Sequence, residues 1–168
     1  MKKTLTTFAL TVAMMAPAFA QNTVAHINVD SMLVEMPEYK SVMTTLQASQ
    51  ATFESEAKEM NTELERGAQA LQANAGTWTE LRQRQEQQRL QDMYNTIQEY
   101  LQSAQKSLQS KEVELITPVY EKLQAAINEA AIESKANYVL DASKSKGVII
   151  YSQGGLNLTD AVKVKLNM

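Results

Sequence analysis

The chain contains no cysteine. That excludes disulfides, a thiol nucleophile, thiolate metal sites and lipid attachment through a lipobox thiol. Histidine occurs once, as His26, so it has no second imidazole or thiolate with which to share a metal ion. It reads instead as a partly buried or edge residue of a strand. Aromatic residues are scarce, at 6%, and Trp78 is the only tryptophan, whereas Gln, Ala and Glu are abundant. Such a composition favours long helices over a globular β protein. A nucleophile elbow, a phosphate-cradling glycine loop and an HExxH run are all missing, and Gly154-Gly155 ahead of Thr159 reads as a plain turn. The expectation is a non-enzyme with no catalytic, metal-binding or cofactor-binding residue.

Residues 1–20 read as a cleaved signal peptide. Lys2 and Lys3 supply the positive start, an apolar stretch follows from about Leu5 to Ala16, and Ala18-Phe19-Ala20 places small residues at both positions a signal peptidase inspects. The apolar stretch is too short to remain as a membrane-spanning helix, so the chain is expected to be exported to the periplasm and soluble. Of 168 residues, 148 then remain, the size of one domain. Removing Lys2 and Lys3 from the 16 basic side chains leaves 14 against 19 acidic ones, a formal charge of −5. Such a chain, with no basic run, is a poor partner for nucleic acid, whose binding rests on neutralising phosphates.

What is present is a helical hairpin. Alternate steps of 4 and 3 residues from Tyr39 pass through Met43, Leu46, Gln50, Phe53, Ala57, Met60, Leu64, Gly67, Leu71 and Asn74, mostly apolar, which is the period of a coiled-coil seam. A second seam runs through Leu90, Tyr94, Ile97, Leu101, Ala104, Leu108, Lys111 and Leu115. Between them Asn74-Ala75-Gly76-Thr77 breaks the pattern, with Gly76 free to take a positive φ and Thr77 with Glu80 forming a capping box. The first helix is predicted over about Pro37–Asn74, with Gly67 as its weak point, and the return helix from Thr77 to about Lys135. A hairpin symmetric about residues 75–76 puts Phe53 near Ile97 and Tyr39 near Glu112. The return helix then overshoots its partner past Lys111, and Pro118 should kink the overshoot. Toward the tip the seam weakens, and glutamines replace apolar residues. All four arginines, Arg66, Arg82, Arg84 and Arg89, gather there with Trp78. That tip reads as mobile and mildly positive, suited to weak contact with membrane lipid or lipopolysaccharide.

The ends form the base. Val24–Val29 reads as a strand with Ala25, Ile27 and Val29 on its core face, and Asp30 or Ser31 is expected to cap a short helix through Glu35. Tyr138-Val139-Leu140 and Val148-Ile149-Ile150-Tyr151 read as two further strands, and a final helix runs through about Leu166, capped by Asn157 or Thr159. The predicted fold is mainly α with a small β body: a long antiparallel coiled-coil hairpin arm projecting from a short-stranded oligomerisation domain. The arm spans residues 38–111, and the discontinuous body spans 21–37 plus 112–168. Three short strands make a marginal sheet, so packing between subunits is expected.

Val24-Ala25-His26-Ile27-Asn28-Val29-Asp30 followed by Pro37-Glu38-Tyr39-Lys40, and Tyr138-Val139-Leu140-Asp141-Ala142 followed by Ile149-Ile150-Tyr151 and Leu158-Thr159, resemble the two ends of the Skp (OmpH-like) family of periplasmic chaperones. The order of elements over the whole mature chain is similar too. The resemblance implies a homotrimer whose body includes Ile27, Val29, Val139, Leu140, Ile149, Ile150 and Tyr151. It also implies an ATP-independent holdase, whose arms surround a cavity for unfolded outer-membrane β-barrel proteins. Met32, Met36, Met43, Met60 and Met93 would offer adaptable contact if they faced that cavity. One departure stands out: the best-known family members are strongly basic and this chain is acidic. The alternative function is a non-catalytic coiled-coil structural or adaptor protein of the cell envelope.

Overall fold

The computed structural model describes residues 23–147, 149–151 and 154–168. The signal peptide expected over residues 1–20 lies outside these, as does Val148. The elements in chain order are β1 (Val24–Ile27), α1 (Val29–Glu35), α2 (Pro37–Ala73), α3 (Glu80–Glu133), β2 (Tyr138–Asp141), β3 (Leu156–Asn157) and α4 (Thr159–Lys165). The molecule is mainly helical, and a long antiparallel hairpin of α2 and α3 rises from a small body. Among the described residues no helix is long and apolar enough to cross a membrane.

Local chemistry explains most element boundaries. Asn28, in extended backbone, caps α1 by accepting from Ser31 N–H at 2.9 Å. Asp30 and Ser31 were the expected caps, but both already lie inside the helix, and Asp30 N–H is taken by Ser143 Oγ. Pro37 opens α2 in the first turn, where its missing N–H leaves no bond unmade. The helix runs 37 residues, about 55 Å at 1.5 Å per residue. It ends at Asn74, whose carbonyl accepts from Thr77 and Trp78 N–H and whose side-chain amide donates to Ala70 O. Gly76 does not take a positive φ. The helix end is closed by Asn74 instead of a left-handed glycine. The cap of α3 is Thr79, not Thr77: its hydroxyl accepts from Arg82 N–H.

The return helix therefore begins at Glu80, later than predicted, and this moves the register of the hairpin. Phe53 meets Tyr100, ring edge to face with centroids 6.3 Å apart. Lys111 donates to Ser49 Oγ at 2.7 Å, and Lys122 is paired with Glu38. The predicted overshoot beyond Lys111 is corrected accordingly, because α3 is still paired with the start of α2 at Lys122. Pro118 sits within the continuous α3.

The sheet has the order β2-β1-β3, with both pairings parallel. Ala25 and Ile27 face inward, as alternation predicts. Behind them lies one core built from Met32 and Leu33 of α1, Met36 at its C-terminal cap, Val119, Leu123, Ile127 and Ala130 of α3, and Leu158, Val162 and Leu166 at the C-terminal end. Met32 and Met36, which would have offered client contact only if they faced a cavity, are buried core residues. Tyr39, Met43, Leu46 and Leu115 pack on the same core, where the hairpin joins the body.

The strand expected over Val148–Tyr151 is corrected: Ile149–Tyr151 is not a strand, and Leu156–Asn157 is the third strand. The cause is a polar latch. Asp141 accepts from Val29 N–H, Ser143 N–H and Ser143 Oγ, while the buried Ser143 also accepts from Asp30 N–H and reaches Asn28 Oδ1. This latch ties the chain after β2 to the start of α1 and steers it off the sheet edge. The segment then crosses the outer face, where Ile149, Tyr151 and Gly155 line a small hollow of about 240 Å³ with Val24, His26 and Leu140. A Cβ on Gly155 would sit 2.9 Å from His26 Nδ1, so a larger residue there would have to displace the imidazole.

Candidate functional site

The described residues hold no cluster of His, Asp and Glu suited to a metal ion. The surfaces with functional potential are the flanks of the arm, its tip and the outer face of the sheet.

Along α2 every predicted seam position except Gln50 is buried or half-buried, and Ser49 replaces Gln50. On α3 the seam runs through Leu90, Met93, Ile97, Tyr100, Ala104, Leu108, Lys111 and Leu115. Tyr94 and Leu101, expected inside it, are 50% and 45% exposed. The ambiguity lies in two adjacent apolar pairs, Met93-Tyr94 and Tyr100-Leu101. Either member continues a step of 3 or 4, and the helix resolves it with two successive steps of 4 after Tyr100, a stutter in the heptad. Leu64 and Leu71 are half-buried as predicted, and Ile97 is fully buried. Gly67 is buried too: a Cβ there would lie 2.6 Å from Leu90 Cδ2 and 2.9 Å from an Arg89 guanidinium nitrogen. It is a site of close helix approach, which the sequence reading took for a weak point.

Two helices cannot cover large side chains from all sides, and two open grooves remain. One, of about 450 Å³, is floored by Phe53, Ala57, Leu101, Ala104 and Leu108 and rimmed by Gln50, Glu54, Lys58, Asn61 and Gln105. The other, of about 540 Å³, is floored by Met60 and Met93 and rimmed by Glu59, Glu63, Arg89, Asp92 and Thr96. At 100° per residue, Glu59 and Glu63 precede seam positions while Glu54, Lys58 and Asn61 follow them, so the grooves open on opposite flanks of the arm. On the flank that carries Glu59 and Glu63, the Tyr100 hydroxyl donates to Glu56, and that bond pushes the phenol up to about 12, with burial and the carboxylate's charge adding to it. At the base, the hydrogen bond from Lys122 holds Glu38 below its ordinary carboxylate value.

The tip is tied down more than its polarity implies. Gln83 Nε2 donates to both Ala75 O and Trp78 O, bridging the loop. The Arg82 guanidinium lies over the Trp78 ring at 4.6 Å. The other arginines are in pairs: Arg66 with Glu63 at 3.1 Å, Arg84 with Glu80 at 3.5 Å, and Arg89 with Glu86 at 2.6 Å. Hydrogen bonding in the last pair depresses Glu86 and raises Arg89. The expected positive tip is therefore largely compensated within the arm.

On the outer face of the sheet, Tyr138 is 62% exposed beside half-exposed Val24 and Leu140, while Ile150 and Tyr151 next to them are 98% and 77% exposed. Val24, Leu140, Ile149 and Tyr151 border one hollow on this face, whereas Val29 and Val139 pack against the core on the other side of the sheet.

The sequence matches the family described as "Outer membrane protein (OmpH-like)" over residues 23–166, which is nearly the whole described chain. The chain belongs to the OmpH-like family. A solved structure, described as a candidate outer membrane chaperone (OmpH-like) from Caulobacter crescentus CB15, superposes with a TM-score of 0.75 at 24% identity. The alignment covers 88% of this chain and 85% of that one, and it supports the fold. No curated protein matches. The OmpH-like match includes both strand-bearing ends and the arm, so hairpin and body are parts of one family unit.

Proposed function

We propose that this OmpH-like protein is an ATP-independent periplasmic holdase that binds unfolded outer-membrane β-barrel proteins between the arms of a homotrimer. The observation that carries the reading is the arm itself, where apolar grooves open on both flanks between residues 50–63 and 89–108. Unfolded barrel segments alternate apolar and polar residues, and a holder for them needs dispersed apolar area without a fixed shape. Family membership and the description of the Caulobacter neighbour as a candidate chaperone point the same way. The outer sheet face with Tyr138, Leu140 and Ile150 supports self-association, since exposed apolar area of that kind is covered in stable assemblies. In this assembly the body spans residues 21–37 and 112–168 and the arm residues 38–111.

The test dilutes a urea-unfolded outer-membrane β-barrel protein into buffer containing the mature chain in molar excess, and follows light scattering. Suppressed scattering is expected; scattering equal to that without the chain would sink the holdase reading. Gel filtration with multi-angle light scattering is expected to give the mass of a trimer, and a stable monomer would contradict the architecture.

A further inference from the structure

The two flanks of the arm differ in charge. The Phe53 groove carries one acid and one base at its rim, Glu54 and Lys58. The Met60/Met93 groove carries Glu59, Glu63 and Asp92 against a single cation, Arg89. That cation is already engaged by Glu86, through Nε at 2.8 Å and a terminal nitrogen at 2.6 Å. Glu63 is partly answered by Arg66, and Asp92 accepts a neutral amide hydrogen bond from Gln88. Among the ion pairs of the arm none involves Glu59 or Asp92, and both stand on an exposed rim above a floor of two polarisable, flexible thioethers.

We infer that this groove selects its occupant: a segment of non-native polypeptide with an apolar side chain and a lysine or arginine one or two positions away. The inference rests on the holdase reading and assigns its site and preference. The methionine floor accepts apolar side chains of varied shape, because an unbranched thioether repacks at little cost. The carboxylates then discriminate by charge. A basic neighbour reaches Glu59 or Asp92, whereas an acidic neighbour is placed against like charge. The acidic balance of the chain, at odds with electrostatic capture of anionic clients, becomes a positive selection rule at this flank.

Three unstructured fluorescein-labelled peptides of equal length test it on the full mature chain by fluorescence anisotropy. One pairs leucine and phenylalanine with lysine, one pairs them with glutamate, and one keeps the lysines but replaces the apolar residues with serine. The first is expected to bind about five- to tenfold more tightly than the second, the size of one or two exposed ion pairs. The third should bind least. The preference is expected to shrink with added salt, to collapse in Glu59→Gln/Asp92→Asn, and to persist in Glu65→Gln/Glu112→Gln, which removes the same two charges from exposed positions on the opposite flank. Met60→Ser/Met93→Ser should abolish binding of the first peptide, and Met60→Leu/Met93→Leu should retain it. Equal affinity for the first two peptides, or an unchanged preference in Glu59→Gln/Asp92→Asn, overturns the inference. If the wild-type chain still suppresses aggregation of the unfolded barrel protein in that case, the holdase reading survives and only the selectivity fails.

Discussion

The body and the arm bury side chains by different geometry. In the body, β1, α1, α3 and α4 converge, and large residues such as Ile27, Met32, Leu123 and Val162 are covered completely. Toward the middle of the arm only two helices meet, and three of the four buried positions are small, Ala57, Gly67 and Ala104, with Ile97 the exception. The larger seam residues Phe53, Met60, Met93 and Tyr100 remain half accessible. A two-helix seam therefore holds the hairpin together while leaving apolar area open to solvent. The body, with its core sealed, is left to hold the arm in place.

That contrast can be broken most forcefully in the body. Leu123→Ala empties a fully buried site and is expected to cost about 4 kcal/mol, read as a lower thermal midpoint with loss of the sheet. Phe53→Ala should cost about 3 kcal/mol, the low end for a buried aromatic, because Phe53 is already half open. Circular dichroism melting of the mature chain checks both, and equal effects would erase the distinction between sealed and open packing.

The two regions should also fail at opposite ends of the pH scale. Burial pushes the Asp141 carboxyl up, but hydrogen bonds from Ser143 Oγ, Ser143 N–H and Val29 N–H outweigh it, helped by the Lys146 charge, and leave it below its ordinary value. A depressed folded value adds stability that is present above the unfolded carboxylate range and lost as pH falls through the folded one. The acid limb should therefore be shallower in Asp141→Asn. Tyr100, raised to about 12 by Glu56, does the reverse: its contribution is complete below the free phenol value and disappears as pH rises through about 12. Tyr100→Phe should remove that alkaline step from the arm and leave the acid limb alone. Ultraviolet titration of the phenols, with melting at each pH, reads both.

The smallest effect is expected at Gly67. Gly67→Ala improves helix propensity by about 1 kcal/mol, while the new methyl displaces the flexible ends of Leu90 and Arg89. The two should nearly cancel in stability, yet the Arg89–Glu86 pair should loosen, visible as a change at the Arg89 guanidinium in nuclear magnetic resonance.

Much of this was legible from residue type alone. The α2 seam from Phe53 to Leu64 could be read because its large apolar residues are separated by polar ones, so the period there has one solution. The α3 seam was misread at Tyr94 and Leu101 because neighbouring apolar pairs offer two solutions, and only the partner helix decides between them. The outer turn was placed too early because Thr77 and Thr79 both satisfy the local capping chemistry. The third strand was misplaced for a non-local reason. Ile149-Ile150-Tyr151 has strand propensity, but the Asp141–Ser143–Asn28 latch, made by residues far apart in sequence, directs the chain elsewhere. The charge contrast between the two grooves was out of reach, since it depends on which carboxylates flank which side of the seam.

The sheet also fixes an order of events in time. Thr23 and β1 bond to residues more than a hundred positions downstream, at Asn137 and β2, and then to β3. A polypeptide delivered from its N-terminus therefore releases β1 early and must keep it waiting. The hairpin can form meanwhile from local contacts, which close fast. β1 has no strand beside it until β2 and β3 follow, so a chain interrupted after α3 has its hairpin and lacks its sheet.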